Sequence, residues 1–217
     1  MRVLVLAAQK GGSNKTTLAL NLAVEAMRQC DGPVTLIDTD PQASLTKWWN
    51  RRAENEPKLA QIDIRRIDQE LAALKVAGTK LVVIDTPGVI TANVKAVIRA
   101  ASLVVIPCRA SILDVETLYE FCDVIEAERR PMMFVPSSIK PRTRISSDAI
   151  RNLSAFGTVG PTISDRVDYS QSLNDGRAAC ELRPDGDATK EVAALWNYVK
   201  TRLRKSASAE MREDATT

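Results

Sequence analysis

Short apolar runs punctuate the chain at 3–8, 34–37, 81–84, 103–106, 132–135 and, more weakly, 158–163. They are continuous, not alternating, as strands buried on both faces of a parallel sheet must be. Each is followed by turn residues and then by apolar positions at helical spacing. Helices are expected at 15–29, 43–53, 67–77, 92–100, 115–128, 146–156 and 190–204, with a further short strand at 62–67. Strand–helix alternation of this kind predicts an α/β fold, a doubly wound, mostly parallel sheet of about six to eight strands with helices on both faces. One domain is expected over 1–205. Beyond it "SASAEMREDATT" is small and polar, and residues 206–217 are expected to form a disordered tail.

In such sheets ligands bind beyond the carboxyl ends of the strands. Three of those ends carry chemistry: "AAQKGGSNKTT" after the first run, "IDTDPQ" after the second and "IDTPG" after the third. The first is a strand, a glycine turn and Lys-Thr opening a helix, where backbone N–H groups and the helix dipole face an anion. Lys15 is placed to reach the β- and γ-phosphates of a nucleotide and the Thr16 hydroxyl to hold Mg²⁺. The full GxxxxGK[ST] pattern is not met, because Gln9 and Asn14 stand where its glycines would be. If position 14 requires a positive φ, asparagine is the best-tolerated substitute for glycine.

Asp85 ends the apolar run "KLVVID", where a carboxylate can bind Mg²⁺ directly or through water. Pro87-Gly88 then forms a turn able to sense a γ-phosphate. Asp38 and Asp40 lie two apart, so both carboxylates face one side while the chain stays extended. One could orient an attacking water and the other support the metal shell.

Composition narrows the chemistry. The 217 residues include no histidine, which excludes histidine general bases and most zinc catalysis on this chain. Cys30, Cys108, Cys122 and Cys180 show no CxxC spacing and read as free thiols of a reducing cytosol, with Cys122 on the apolar stripe Val115, Leu118, Cys122, Ile125. Trp48 and Trp49 follow the Asp40 loop; one is expected in the core, the other at a partner or dimer contact. The net charge of +3 leaves any polyanion affinity to a local patch. No apolar run approaches the ~18 residues that span a membrane, and a cytoplasmic protein is expected.

"KGGSNKTT", "IDTDPQASLTKWW", "VVIDTPG" and "LVVIPCRASILDVETL" together resemble the ParA/MinD family of deviant Walker ATPases. The resemblance covers about residues 1–204 and is greatest to the small ParF-like plasmid-partition ParA proteins. It implies ATP and Mg²⁺ as cofactors. It also implies nucleotide contacts at Gly11, Gly12, Ser13, Asn14, Lys15, Thr16 and Thr17, metal contacts at Thr16 and Asp85, and Asp38 behind them. Asp40 would position water. Lys10 would be the signature lysine, crossing an ATP-bound homodimer to the partner's phosphates and acting like an arginine finger. Asn14 departs from the family's usual glycine, and slow or altered hydrolysis is expected from it.

The resemblance implies a partition ATPase: it would bind non-specific DNA as an ATP dimer, associate with the nucleoid and be stimulated by a ParB-type adaptor. Candidate DNA contacts are Lys140, Arg142, Arg144, Lys200, Arg202, Arg204 and Lys205, all suited to phosphates and therefore salt-sensitive. No helix-turn-helix segment precedes the first strand, so operator reading is not expected. Two other classes share the scaffold. A MinD-like membrane ATPase would want an amphipathic C-terminal helix, which "KSASAEMREDATT" does not supply. A metabolic or electron-transfer P-loop enzyme is the other.

Overall fold

In the computed structural model, residues 1–10, 12–109, 115–140 and 144–214 are described, without the side chains of 115–117, 144–146, 149 and 206–214. Six strands form one all-parallel sheet: β1 Arg2–Leu6, β2 Val34–Asp38, β3 Lys58–Ala60, β4 Leu81–Asp85, β5 Leu103–Arg109 and β6 Met132–Ser137. Their order is β3-β2-β4-β1-β5-β6. The helices are α1 Lys15–Arg28, α2 Ser44–Trp49, α3 Ile67–Val76, α4 Ala92–Arg99, α5 Val115–Ala127, α6 Arg144–Phe156, α7 Val167–Asp175, α8 Ala179–Leu182 and α9 Asp187–Asp214.

The continuous apolar strands serve two cores at once. Leu4, Leu6, Leu36, Val83, Val105 and Met133 pack with α1, α2 and α7–α9. Their chain neighbours Val3, Val5, Ile37, Val82, Val104 and Phe134 pack with α3–α6 on the other face. Because side chains alternate across a strand, a run buried on both faces must be apolar throughout.

Strand order reverses around β1. The chain leaves β1 for β2 and β3, returns to place β4 between β2 and β1, and then crosses to β5. This creates a switch point at the carboxyl ends of β4, β1 and β5, where open α/β sheets carry their ligands.

Four details differ from the sequence expectation. The segment 62–67 is a 3₁₀ turn running into α3, and the edge strand lies earlier, at β3. There Asp63 accepts a hydrogen bond from the Arg65 N–H and caps the turn, a local preference of aspartate over extended pairing. The weak run 158–163 makes only isolated bridges, Phe134 with Val159 and Ile139 with Ser164. Helices α7 and α8, of 9 and 4 residues, are additions to the expected set. Finally, α9 continues through Asp214, past residue 205 where a loose tail was expected, because Ala207, Ala209, Glu210, Met211 and Arg212 are good helix formers.

Candidate functional site

Five strand ends meet at the switch-point edge. Asp38 of β2 is in register with Asp85 of β4, Asp85 with Leu6 of β1, and Arg109 of β5 with Ser137 of β6. The turn from β1 to α1 is anchored beneath by Thr86, whose hydroxyl donates to the Leu6 carbonyl at 2.9 Å, and by the Ala7 N–H on the Val105 carbonyl. It is anchored from the side by Ser137, whose hydroxyl donates to the Ser13 carbonyl at 3.2 Å.

Helix α1 begins in an unusual way. Its N-cap, Asn14, lies in the left-handed region at φ 74 and makes no side-chain cap bond, and the first turn holds no acidic residue. The first N–H groups of this 14-residue helix are therefore left to a ligand, where an anion is favoured by the exposed amides and the dipole. Gly12 is also left-handed, at φ 71.

Two buried charges flank that helix start. Lys15 is 7% exposed, and among the described residues its Nζ has one long bond, 3.5 Å to the Ser13 hydroxyl. Burial pushes its pKa down, and the charges of Asp85 and Asp40 only partly restore it. Asp85 is fully buried, and its Oδ2 accepts from the Thr16 hydroxyl at 2.6 Å. Its Oδ1 is buried without a hydrogen-bond partner among the described residues. Burial pushes this carboxyl up to about 7; the Thr16 bond pulls it back and the nearby Asp38 charge adds to the rise. A buried charge with unmet lone pairs is costly unless a ligand completes it.

These residues fit a Mg²⁺–phosphate group. The orphaned Oδ1 of Asp85 and the Thr16 hydroxyl are hard oxygen donors side by side. No cluster of three or more His, Cys, Asp or Glu side chains able to hold a metal occurs among the described residues. Mg²⁺ suits such a place because it takes few protein ligands and completes its shell with water and phosphate oxygens.

Asp38 and Asp40 are brought to the same edge but differ in use. Asp38 Oδ1 accepts from the Asp40 N–H, and Oδ2 from the N–H and hydroxyl of Thr46 at 2.8 and 3.0 Å. It thereby caps α2 from a distance and fixes the loop. Asp40 is half-exposed, and its Oδ1 accepts from the Gln42 N–H at 2.9 Å. Lys10 is exposed at the mouth of the loop, and Gly11 lies outside the described residues.

The expected basic patch is divided. Lys140, Arg204 and Lys205 are exposed. Arg142 lies outside the described residues, and Arg144 opens α6 with its side chain not described. Lys200 is instead ion-paired to Asp31 at 2.7 Å, and Arg202 donates to the Thr158 hydroxyl at 3.0 Å. Both flank the stripe of Trp196, Val199 and Leu203 that buries α9 against the core, so their charges serve that packing. Trp48 is fully buried, as expected of one tryptophan, with Nε1 donating to the Arg177 carbonyl. Trp49 also packs against the core and donates to the Pro57 carbonyl at 2.7 Å.

Sequence reasoning missed three residues at this edge. Arg109 brings its guanidinium to 4.0 Å from where a Cβ on Gly12 would sit, with Nε buried and unpartnered among the described residues. Ser137 and Ser138 close the far side. The available signal was position: an Arg and a Ser pair ending apolar strands on the same edge as the three loaded ends.

The comparisons with known proteins agree with this geometry. The model of the CobQ/CobB/MinD/ParA nucleotide binding domain matches residues 4–179. The chain is 37% identical over 116 residues to protein ParA of Rhizobium radiobacter, covering 52% of this chain and 51% of that one. It is 39% identical over 122 residues to the carboxysome distribution protein A of Gloeobacter kilaueensis, covering 55% and 54%. The matched stretches thus span about half the length of these curated relatives. A plasmid partition protein of Borrelia burgdorferi, solved bound to AMPPNP, shares the fold at a TM-score of 0.76 and 20% identity, over 92% of this chain and 99% of that one. With a domain model matched over residues 4–179, most of its length, the chain belongs to the CobQ/CobB/MinD/ParA nucleotide-binding family.

Proposed function

We propose that this chain is a ParA-like partition or positioning ATPase. It binds ATP with Mg²⁺, forms a nucleotide-sandwich homodimer, engages DNA without sequence preference, and hydrolyses ATP when a ParB-type adaptor stimulates it. The observation that carries this reading is the pairing of a buried, under-bonded Lys15 with a buried, under-bonded Asp85 at the uncapped start of α1. Buried charges that serve only the fold are completed by their surroundings, whereas among the described residues Lys15 is left short of an anion and Asp85 of a cation.

Each residue then has a role. Backbone N–H groups of 11–17 and the Lys15 ammonium hold the phosphates. Thr16 and Asp85 hold Mg²⁺, which supplies neutralisation of the charge that develops on the phosphates. Asp40 orients the attacking water, and Asp38 keeps the Asp40 loop in place from behind. Lys10, exposed ahead of the turn, reaches the phosphates of a second protomer, so the site is complete only in the dimer. DNA phosphates are met by Lys140, Arg142, Arg144, Arg204 and Lys205, while Lys200 and Arg202 contribute little. Cytoplasmic, nucleoid-associated localisation follows from that binding. No helix of the described residues is long and apolar enough to cross a membrane. One relative is named for ParA and another for carboxysome distribution, so the cargo, nucleic acid or protein assembly, is set by the adaptor.

The test is DNA retention by the wild type and by Lys10→Ala, each with ATP, with ADP and without nucleotide. Retention by the wild type in ATP only, lost in Lys10→Ala, is expected. Retention that ignores nucleotide, or an ATP complex that stays monomeric, overturns the reading.

A further inference from the structure

The departure from glycine at position 14 has a structural counterpart just beyond the carboxyl end of β6. Asn14 holds φ 74, a region that asparagine tolerates less readily than glycine. Its side chain does not cap α1. It reaches across to the end of β6, where Nδ2 donates to the Ser138 hydroxyl at 2.8 Å. Ser138 is itself left-handed, at φ 51.

The Ser138 end of this contact is fixed from outside. Immediately before it, Ser137 is fully buried and donates to the Ser13 carbonyl. Immediately after it, the Ile139 N–H donates to the Ile163 carbonyl at 3.1 Å and the Ile139 carbonyl accepts from the Asp165 N–H at 3.1 Å. The Ile163 N–H in turn donates to the Pro136 carbonyl at 2.8 Å. The segment 163–165 thus braces the serine pair, and the pair holds two successive residues of the phosphate loop, one by its carbonyl and one by its side chain.

We propose that Ser138 is a positioning residue of the nucleotide site. It holds the Asn14 side chain away from the phosphates and keeps the backbone of residue 14 left-handed, so that the N–H groups at the start of α1 face the nucleotide. A glycine at position 14 needs no such restraint, having no side chain to place and no steric penalty at φ > 0. Asn14 and Ser138 therefore act as one unit: the hydroxyl matters because the asparagine is there. The inference rests on the reading of this loop as a nucleotide site.

A double-mutant cycle tests it on the full chain, reading Mg-ATP affinity and steady-state kcat and KM. The variants are Ser138→Ala, Asn14→Gly and the two combined, with Ser138→Gly added because glycine relieves the left-handed backbone while removing the hydroxyl. Loss of one neutral hydrogen bond predicts that Ser138→Ala and Ser138→Gly each weaken Mg-ATP binding about three- to tenfold in the Asn14 background. In the Asn14→Gly background the same changes are expected to move affinity less than about twofold, a coupling that a purely structural serine does not show. Equal losses in both backgrounds overturn the inference while leaving the nucleotide reading intact. Ser138→Gly binding as well as wild type shows that the hydroxyl is idle and overturns it too. A wild-type chain that binds no Mg-ATP overturns the reading of the site, and the inference with it.

Discussion

Two sets of charged groups are treated in opposite ways. In the corner between α7 and α9, Glu191 accepts from the Ser164 N–H and hydroxyl, from Arg166 and from the Tyr169 hydroxyl. Nearby, Asp31 accepts from the Trp196 indole and pairs with Lys200, and the fully buried Glu25 is bound by Arg28 and Gln29. At the switch-point edge, among the described residues, Lys15 has one 3.5 Å bond and Asp85 has an oxygen without a hydrogen-bond partner. Both regions remove charge from water. The corner largely replaces what water supplied, Asp168 being held there by its ion pair with Arg183 at 3.3 Å, whereas among the described residues the edge carries a deficit that the proposed ligand would remove.

The contrast can be broken by substitution. Glu191→Ala removes the main partner of Arg166, which keeps only Asp187 at 3.2 Å, takes from Ser164 its carboxylate acceptor and leaves Tyr169 with the Ala188 carbonyl. A loss of roughly 2–3 kcal/mol is expected, below the range for a fully buried pair because Arg166 is partly exposed and keeps Asp187. That corresponds to a fall in melting temperature of roughly 5–10 °C, with Mg-ATP affinity unchanged within about twofold. Calorimetry and nucleotide titration check both halves. A Glu191→Ala protein of wild-type stability that fails to bind nucleotide contradicts the division.

A smaller effect sharpens it with pH. Burial pushes Asp31 and Glu191 up, but their hydrogen-bonded partners, Lys200 and Trp196 for one and Arg166 and Ser164 for the other, hold both below the ordinary carboxylate values of 3.8 and 4.5. A depressed folded pKa means that the unfolded chain takes up the proton first as pH falls. These contributions are therefore complete above the ordinary values and are lost as pH drops through the folded ones. Urea unfolding at pH 6 and pH 3 is expected to show a shallower acid loss in Asp31→Asn, Glu191→Gln than in the wild type. An identical loss contradicts the assignment.

Much of this was legible in the chain because its signals were local. Continuous apolar runs marked five of the six strands, and "AAQKGGSNKTT", "IDTDPQ" and "IDTPG" each carry their chemistry within a few residues. Asn14 was legible in kind, since a glycine position occupied by asparagine pointed to the left-handed backbone that the structure shows. What stayed hidden depends on contacts between distant segments. Ser138 acquires its place only because β6 ends beside the phosphate loop, 124 residues away in sequence. Lys200 looked like a DNA contact until packing of Trp196 and Leu203 brought it to Asp31. Helices α7 and α8 are short, and tertiary anchors set their places. The Arg177 carbonyl receives the Trp48 indole, and a Cβ on the left-handed Gly176 would fall 2.5 Å from the backbone of Arg51.

The central claim is that the deficit at Lys15 and Asp85 exists for Mg-ATP. Thermal unfolding of the full chain, with Mg²⁺ alone, ATP with chelator and Mg-ATP together, tests it directly on the wild type and on Lys15→Ala. At ATP a hundredfold above its dissociation constant, binding to the folded state alone adds about 2.7 kcal/mol. For a chain of this size that is a rise of roughly 5–10 °C. The account predicts this rise for wild type in Mg-ATP, less of it without Mg²⁺, and none for Lys15→Ala. A wild-type midpoint indifferent to Mg-ATP, or a Lys15→Ala protein that rises as far as the wild type, contradicts it.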